Sequence, residues 1–235
     1  LTVTEEVVAV FARAPELGKV KSRLCPPLTA DEALALHRAL VADTLIHVGR
    51  VERPNLSRML LLSQPLRHPD DIEIPKEWTV SIQPSGDLGE RMASLFYTSF
   101  RRNIARLVLL GSDSPTLPVE VIYEAFDSLE TSDVVLGPAE DGGYYLIGAR
   151  RFVPEIFRNI PWGSGEVLNQ TTAVLRELGL GFELLIPWYD IDRGEDLVKL
   201  HSEIAYLKRT APELVPKRVD AVLPDVESEY TLDDR

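Results

Sequence analysis

The residues best suited to chemistry fall into a basic group and an acidic group, each just after an apolar run. Between Arg13 and Arg23 the chain carries Arg13, Lys19, Lys21 and Arg23 against one acid, Glu16, in a protein of formal net charge −12. Lys19, Lys21 and Arg23 are spaced by two, and Gly18 permits close approach of backbone to a ligand. Lysine offers a compact positive charge and arginine a two-pronged donor, both suited to a polyphosphate. The stretch is not a Walker A loop, which would need Gly where Arg13 stands and Ser or Thr where Val20 stands. The bland alternative is a solvated basic loop. The acidic group centres on Asp113 in "LVLLGSDSPTLP", two residues beyond a buried run, where Pro115 biases Ser114 to extended geometry. A carboxylate there is placed to hold Mg²⁺ or Mn²⁺ together with substrate phosphates. It could equally end the strand as an Asx-turn.

Other carboxylates and glycines surround these groups. In "WYDIDRGEDL", Asp190 and Asp192 are separated by two and face one way on an extended segment. Asp192 is the first candidate for a second metal ligand and Asp190 the next, while Asp192-x-x-Glu195 also fits a capping box. "GPAEDGGYYLIG" places Asp141, Gly142 and Gly143 in a hairpin-like turn that either closes two strands or faces an acceptor. "PSGDLGERM" opens a helix with Gly86 and Gly89. Its free N–H groups can bind an anion, and Asp87 is its N-cap. "PWGSGEVL" brings Trp162 to another glycine-rich helix start, either an acceptor wall or a plain connection with Ser164 as cap.

Strand ends and helix starts must hold these residues. Apolar runs predict strands over 7–11, 59–63, 79–83, 107–111, 133–137, 144–148 and 183–186. Helical patterns cover 88–103, 118–129, 166–178 and 195–208, and another helix opens at Thr29, where Thr29-x-x-Glu32 is a capping box. The alternation implies an α/β fold with a largely parallel sheet and helices on both faces. Ligands bind beyond the carboxyl ends of such strands, where the basic loop and Asp113 fall. We expect one domain over 1–235, with 211–235 a loosely held acidic tail.

Composition narrows the function. The acidic balance argues against nucleic acid as partner. One cysteine, Cys25, excludes an internal disulfide or a thiolate zinc cluster. Four histidines lack His-x-x-x-His spacing, and neither Gly-x-Ser-x-Gly nor a dinucleotide-binding Gly-x-Gly-x-x-Gly is present. No apolar run approaches the ~18 residues of a membrane span. The first residues carry no secretory signature, so a cytoplasmic protein is expected.

In order, "VVAVFARAPELGKVKSRLCPPLT", "GDLGERM", "LLGSDSPTLP", "GPAEDGGYYLIG", "PWGSGEVL" and "WYDIDRGEDL" resemble the uncharacterised CofC-like, selenodomain-associated transferases (DUF2064-type). These belong to the nucleotide-diphospho-sugar transferase superfamily, and the resemblance runs from about Val7 to Leu200. It implies a GT-A fold, a Rossmann-like three-layer α/β/α sandwich with a mostly parallel mixed sheet. It also implies metal-dependent nucleotidyl or glycosyl transfer from a nucleoside triphosphate or nucleotide-sugar to a small acceptor. Under it, Lys19, Lys21 and Arg23 become phosphate binders, while Asp113 and Asp192 share Mg²⁺ or Mn²⁺. Where relatives carry Thr-Pro after that last aspartate, this chain has Arg193-Gly194. The alternative is a nucleotide-sensing or scaffold module without chemistry, on the same fold. The resemblance does not indicate an oligomeric state.

Overall fold

The computed structural model describes residues 5–224. In chain order the elements are β1 (Glu5–Ala12), α1 (Ala30–Gly49), β2 (Leu56–Leu62), β3 (Trp78–Ile82), α2 (Leu88–Phe100), β4 (Ile104–Leu110) and α3 (Val119–Ser128). They continue with β5 (Val134–Pro138), β6 (Tyr144–Ala149), α4 (Val167–Glu177), β7 (Phe182–Leu184), α5 (Gly194–Thr210) and α6 (Lys217–Val222). The strands form one seven-stranded sheet in the order β3-β2-β1-β4-β6-β5-β7, with β6 antiparallel to both neighbours and the other pairs parallel.

The continuous apolar run of β1 is explained by cover on both faces. Val8 and Val10 point to one face with Leu45 of α1 and Phe126 of α3. Val7 and Ala9 point to the other, against Phe96 of α2 and Leu175 of α4. The sheet is thus the middle layer of three. A third cluster packs Leu197, Leu200 and Ile204 of α5 and Val219 of α6 on Leu36 and Leu40 of α1. The predicted capping box is present: Glu32 N donates to Thr29 Oγ1 at 3.3 Å, and Thr29 N donates to Glu32 Oε2 at 2.8 Å.

Two expectations are corrected. The helix predicted over 118–129 begins at Val119, with Pro118 as its N-cap residue. The segment from Ala211 to Pro224 is folded, not a loose tail. The nearly buried Asp43 of α1 accepts the N–H groups of Arg218 (2.8 Å) and Val219 (2.9 Å), satisfying donors that the start of α6 leaves open. The rest of the predicted tail, 225–235, lies outside the described residues. Among those described, no helix is long and apolar enough to cross a membrane.

The topology fixes where a ligand should sit. From β1 the chain winds through α1 to β2 on one side, whereas β4 pairs with β1 on the other. The order reverses between the carboxyl ends of β1 and β4, which makes that crevice the switch point of the sheet.

Candidate functional site

Three chain segments converge on this crevice. Lys21 follows β1 and takes a left-handed backbone (φ 50°, ψ 32°). That conformation is uncommon outside glycine and asparagine. Its Nζ donates to the Ile191 carbonyl at 2.6 Å and lies 2.7 Å from Asp113 Oδ1. The Lys21 side chain is 5% exposed and that of Asp113 is 38% exposed, so the lysine is turned inward and the carboxylate meets solvent. The segment after β7 is tied to the same place, since Ile191 N donates to the Asp113 carbonyl at 2.9 Å. The Ser114 hydroxyl lies 2.6 Å from Asp190 Oδ1 and 3.0 Å from the Tyr189 carbonyl, and so joins the two loops.

The charges of this cluster are unequal. Burial is the largest single influence on Asp113 and works against its ionisation, but the charge and hydrogen bond of Lys21, with smaller contributions from His37 and Arg13, together outweigh it and the net pKa is lowered. Among the described residues Asp190 makes no ion pair, and the charge of Lys21 is a smaller influence on it than burial. Burial raises it, the Ser114 hydrogen bond opposes this, and the negative charge of Asp113 adds to the rise, placing it at about 6. Between the ordinary carboxylate range and about 6, the folded chain therefore holds a proton that the unfolded chain has released, and stability falls as pH rises through that window. Asp190→Asn keeps an acceptor for Ser114 and removes this cost. In chelator-treated protein it should raise the unfolding free energy at neutral pH by about 2 kcal/mol, the value of such a shift less what solvent screens. The gain should vanish below about pH 4, where both states are protonated. Thermal or denaturant unfolding across pH checks this, and equal stability of the two proteins at neutral pH would refute it.

His37 of α1 supports the basic loop from beneath. It is nearly buried, and its Nε2 lies 2.9 Å from the Arg13 carbonyl. Burial pushes its pKa down, so the ring is neutral at pH 7, with Nε2–H donating and fixing the backbone where β1 gives way to the loop.

The other basic residues are deployed differently. Lys19 is exposed and pairs with Glu16 at 3.1 Å, and Arg67 holds the same carboxylate. Arg13 is exposed, with Nη1 on the Lys19 carbonyl at 3.5 Å. Arg23 pairs with Asp192 at 2.7 Å at the rim, where both side chains are exposed. Asp190, rather than Asp192, is therefore the carboxylate tied to the Asp113 segment. Nor does Asp192 cap α5. The N-cap residue is Arg193, and Asp196 Oδ2 accepts the N–H groups of Arg193 (2.7 Å) and Asp192 (3.0 Å). The box is shifted one residue along from the predicted Asp192-x-x-Glu195.

The side chains present fit a divalent cation shared with phosphates. Asp113 Oδ1 is buried beside Lys21 Nζ and makes no aligned hydrogen bond, and the charge of Asp113 reaches Asp190 and raises its pKa. Among the described residues, no group of three or more His, Cys, Asp or Glu could hold a metal unaided. One or two carboxylates suffice for Mg²⁺ when substrate phosphates complete its shell.

The glycine-rich segments form one wall. A Cβ on Gly89 would lie 2.3 Å from Trp162 Nε1 and 2.6 Å from the Phe157 carbonyl, so the start of α2 packs directly on Trp162. A Cβ on Gly142 (φ +87°) would lie 2.1 Å from the Gly165 carbonyl, which joins the β5–β6 turn to the start of α4. Trp162 meets Tyr144 edge-on at 6.2 Å. Asp87 caps α2 as predicted, with its Oδ1 2.8 Å from Glu90 N, and Gly86 precedes it at φ +119°. Asp141 accepts from Gly143 N at 2.9 Å and shapes the turn. Ser164 assists α4 from two residues before its N-cap residue, Glu166, whose N–H it accepts at 3.3 Å. Gly89→Ala should cost about 1–3 kcal/mol, because one of the clashing atoms is backbone and cannot rotate away. A denaturant midpoint equal to wild type would contradict this packing.

A central β1–β4 switch point, an antiparallel β6 and a basic loop facing strand-end carboxylates define a GT-A-type α/β protein. A profile of the family described as an uncharacterized protein conserved in bacteria (DUF2064) matches residues 48–164. A crystal structure from Desulfovibrio desulfuricans G20, provisionally assigned as a nucleotide-diphospho-sugar transferase, is 30% identical at a TM-score of 0.79, over 94% of this chain and 97% of that one. The chain belongs to this family. The same fold is seen in CMP:2-keto-3-deoxy-manno-octonic acid synthetase complexed with CTP, with 10% identity, TM-score 0.53 and coverage of 86% and 99%. It is also seen in glucosyl-3-phosphoglycerate synthase of Mycobacterium tuberculosis in complex with Mn²⁺, UDP and glucosyl-3-phosphoglycerate, with 11% identity, TM-score 0.50 and coverage of 95% and 82%. No curated protein sequence matches the chain.

Proposed function

We propose that the chain is a single catalytic domain that transfers a nucleotidyl or glycosyl group from a nucleoside triphosphate or nucleotide-sugar to a small acceptor. The observation that carries this is the meeting of Lys21 and Asp113, with Asp190 beside them, at the switch point of the sheet. The known ligands of two same-fold proteins, CTP in one and UDP with Mn²⁺ in the other, support a nucleotide. Mg²⁺ or Mn²⁺ would be held by Asp113 and Asp190, and would polarise donor phosphate oxygens. Lys21 keeps Asp113 ionised for that task. Arg13 and Arg23, exposed at the rim, offer charge to the phosphates, and Gly18 lets them approach the loop. At the start of α2 the amides of Gly86, Leu88 and Gly89, which the Asp87–Glu90 capping box leaves open, would serve the same anion. Gly142, Gly143 and Trp162 bound the space on the acceptor side.

An acceptor oxygen attacking the α-phosphorus would release pyrophosphate, whereas attack on an anomeric carbon would release a nucleoside diphosphate. Incubation with each triphosphate and nucleotide-sugar, with and without Mg²⁺ or Mn²⁺, distinguishes them by product. Metal-dependent nucleotide binding with release of one product is expected. Metal-independent binding without turnover would return the chain to the nucleotide-sensing reading.

A further inference from the structure

Arg67 has no place in the spacing of the basic loop, yet the fold carries it there. It stands just beyond β2, and its guanidinium donates to Glu16 at 2.5 Å. Glu16 also pairs with Lys19 at 3.1 Å, so one carboxylate holds two cations from two loops. The carboxylate lies beneath, with its side chain 11% exposed, while those of Lys19 and Arg67 are 70% and 68% exposed. The bonds from Lys19 and Arg67 hold the Glu16 carboxyl below the usual carboxylate range, so it stays charged. The two loops are joined at their roots as well. Ser63 Oγ accepts Ala14 N at 3.0 Å, and Ser63 N donates to the Ala12 carbonyl at 3.0 Å. Leu66 packs against the core on one side of Arg67. On the other, His68 N and Arg38 both donate to Asp71, at 3.0 and 2.5 Å. The Arg67 backbone is thus anchored, while only Nη2 of its guanidinium is engaged. Among the described residues Nε and Nη1 are open, and Lys19 keeps donors beyond the one that Glu16 takes. These donors stand where the phosphates are proposed to approach: Gly18 directly precedes Lys19, and Arg13 reaches the Lys19 carbonyl at 3.5 Å.

We infer that Arg67 and Lys19, set in place by Glu16, take the outermost phosphate of the donor, and that the donor is a nucleoside triphosphate. The inference rests on the transferase reading above and chooses within it. Charge makes the choice. One divalent ion offsets the diphosphate of a nucleotide-sugar, whereas a triphosphate keeps negative charge beyond it. Arg13, Lys19, Arg23 and Arg67 are exposed around the loop, and only Glu16 and Asp192 pair with them, so positive charge is left over. A guanidinium with open donors suits a terminal phosphate, whose unbridged oxygens accept a forked pair of bonds. A neutral sugar in that position would give both cations nothing to pair with. In the transfer, the acceptor hydroxyl oxygen bonds to the α-phosphorus as the bond from that phosphorus to the α–β bridging oxygen breaks. Pyrophosphate leaves with the electron pair, and the hydroxyl proton passes to water. Arg67 and Lys19 offset the charge that builds on this leaving group.

Calorimetry with Mg²⁺ tests this, using CTP, UTP, ATP and GTP, their monophosphates, and UDP-glucose and GDP-mannose. At least one triphosphate should bind more tightly than its monophosphate and than either nucleotide-sugar. Arg67→Gln, a change at an exposed side chain, should weaken that triphosphate about fivefold or more and its monophosphate about twofold at most. Arg67→Lys, which keeps the charge, should recover most of the loss. A residue that merely ties the two loops together would weaken both nucleotides alike, so equal losses, or none, would overturn the inference. Tighter binding of a nucleotide-sugar, unaffected by Arg67→Gln, would also overturn it and leave the transferase reading in place as glycosyl transfer. Should no nucleotide bind in the presence of metal, the transferase reading falls and takes the inference with it.

Discussion

Asp113→Asn should abolish the effect of Mg²⁺ or Mn²⁺ on nucleotide binding and reduce transfer to background, while the protein stays folded. The carboxylate stands just beyond β4, is partly open to solvent, and is kept ionised by Lys21 despite burial that favours the neutral acid. Asparagine keeps an oxygen opposite Lys21 and the shape of the loop, but brings no charge to a hard cation. Alanine is the harsher change. It strips the nearly buried Lys21 of its counter-ion, and such losses cost about 3–5 kcal/mol in fully buried pairs. The partial exposure of Asp113 and the remaining bond from Lys21 to Ile191 place this case below that range. Asparagine therefore isolates the chemistry and alanine reports the fold. Calorimetry with nucleotide and metal decides the matter: wild-type affinity and metal dependence in Asp113→Asn would exclude Asp113 from the site.

Much of this arrangement was legible in the sequence because it is local. The apolar run of β1, the Thr29–Glu32 box and the strand before Asp113 are short-range patterns, and a strand end in an α/β sheet is where ligands gather. What escaped depends on contacts far along the chain. The alternation of Asp190 and Asp192 says that both face one way, and says nothing of which one finds a partner. Arg23, 169 residues earlier, engages Asp192 and leaves Asp190 with Ser114 and the charge of Asp113. The spacing of His37 from the other histidines says only that it lacks a metal-binding partner, and the fold alone brings the Arg13 carbonyl to it. Helix α6 spans six residues, too few to display a helical period, so its segment read as tail. Its anchor, Asp43, lies 175 residues away.

Lys21 shows the same limit most sharply, and it yields the second large effect. Spacing alone groups it with Lys19 and Arg23 as a phosphate contact. The left-handed backbone instead turns it under the loop, where it serves Asp113 and the Ile191 carbonyl. Lys21→Met preserves length and apolar volume but removes the charge. Asp113 then loses the interaction that most strongly lowers its pKa, while burial still acts to raise it. A group whose folded pKa is depressed contributes stability above its ordinary range and loses it as pH falls. Lys21→Met should thus forfeit stability at neutral pH and little of it in acid. The acidic limb of metal-dependent nucleotide binding should move to higher pH, because the carboxylate takes up its proton sooner. A lysine that acted only on phosphate would behave differently: its loss would weaken triphosphate more than monophosphate at every pH and leave that limb in place. Binding isotherms for CTP and CMP across pH, in wild type and Lys21→Met, separate the two roles. An unmoved acidic limb with affinity lost only for the triphosphate would show that Lys21 swings out to the phosphates when they bind.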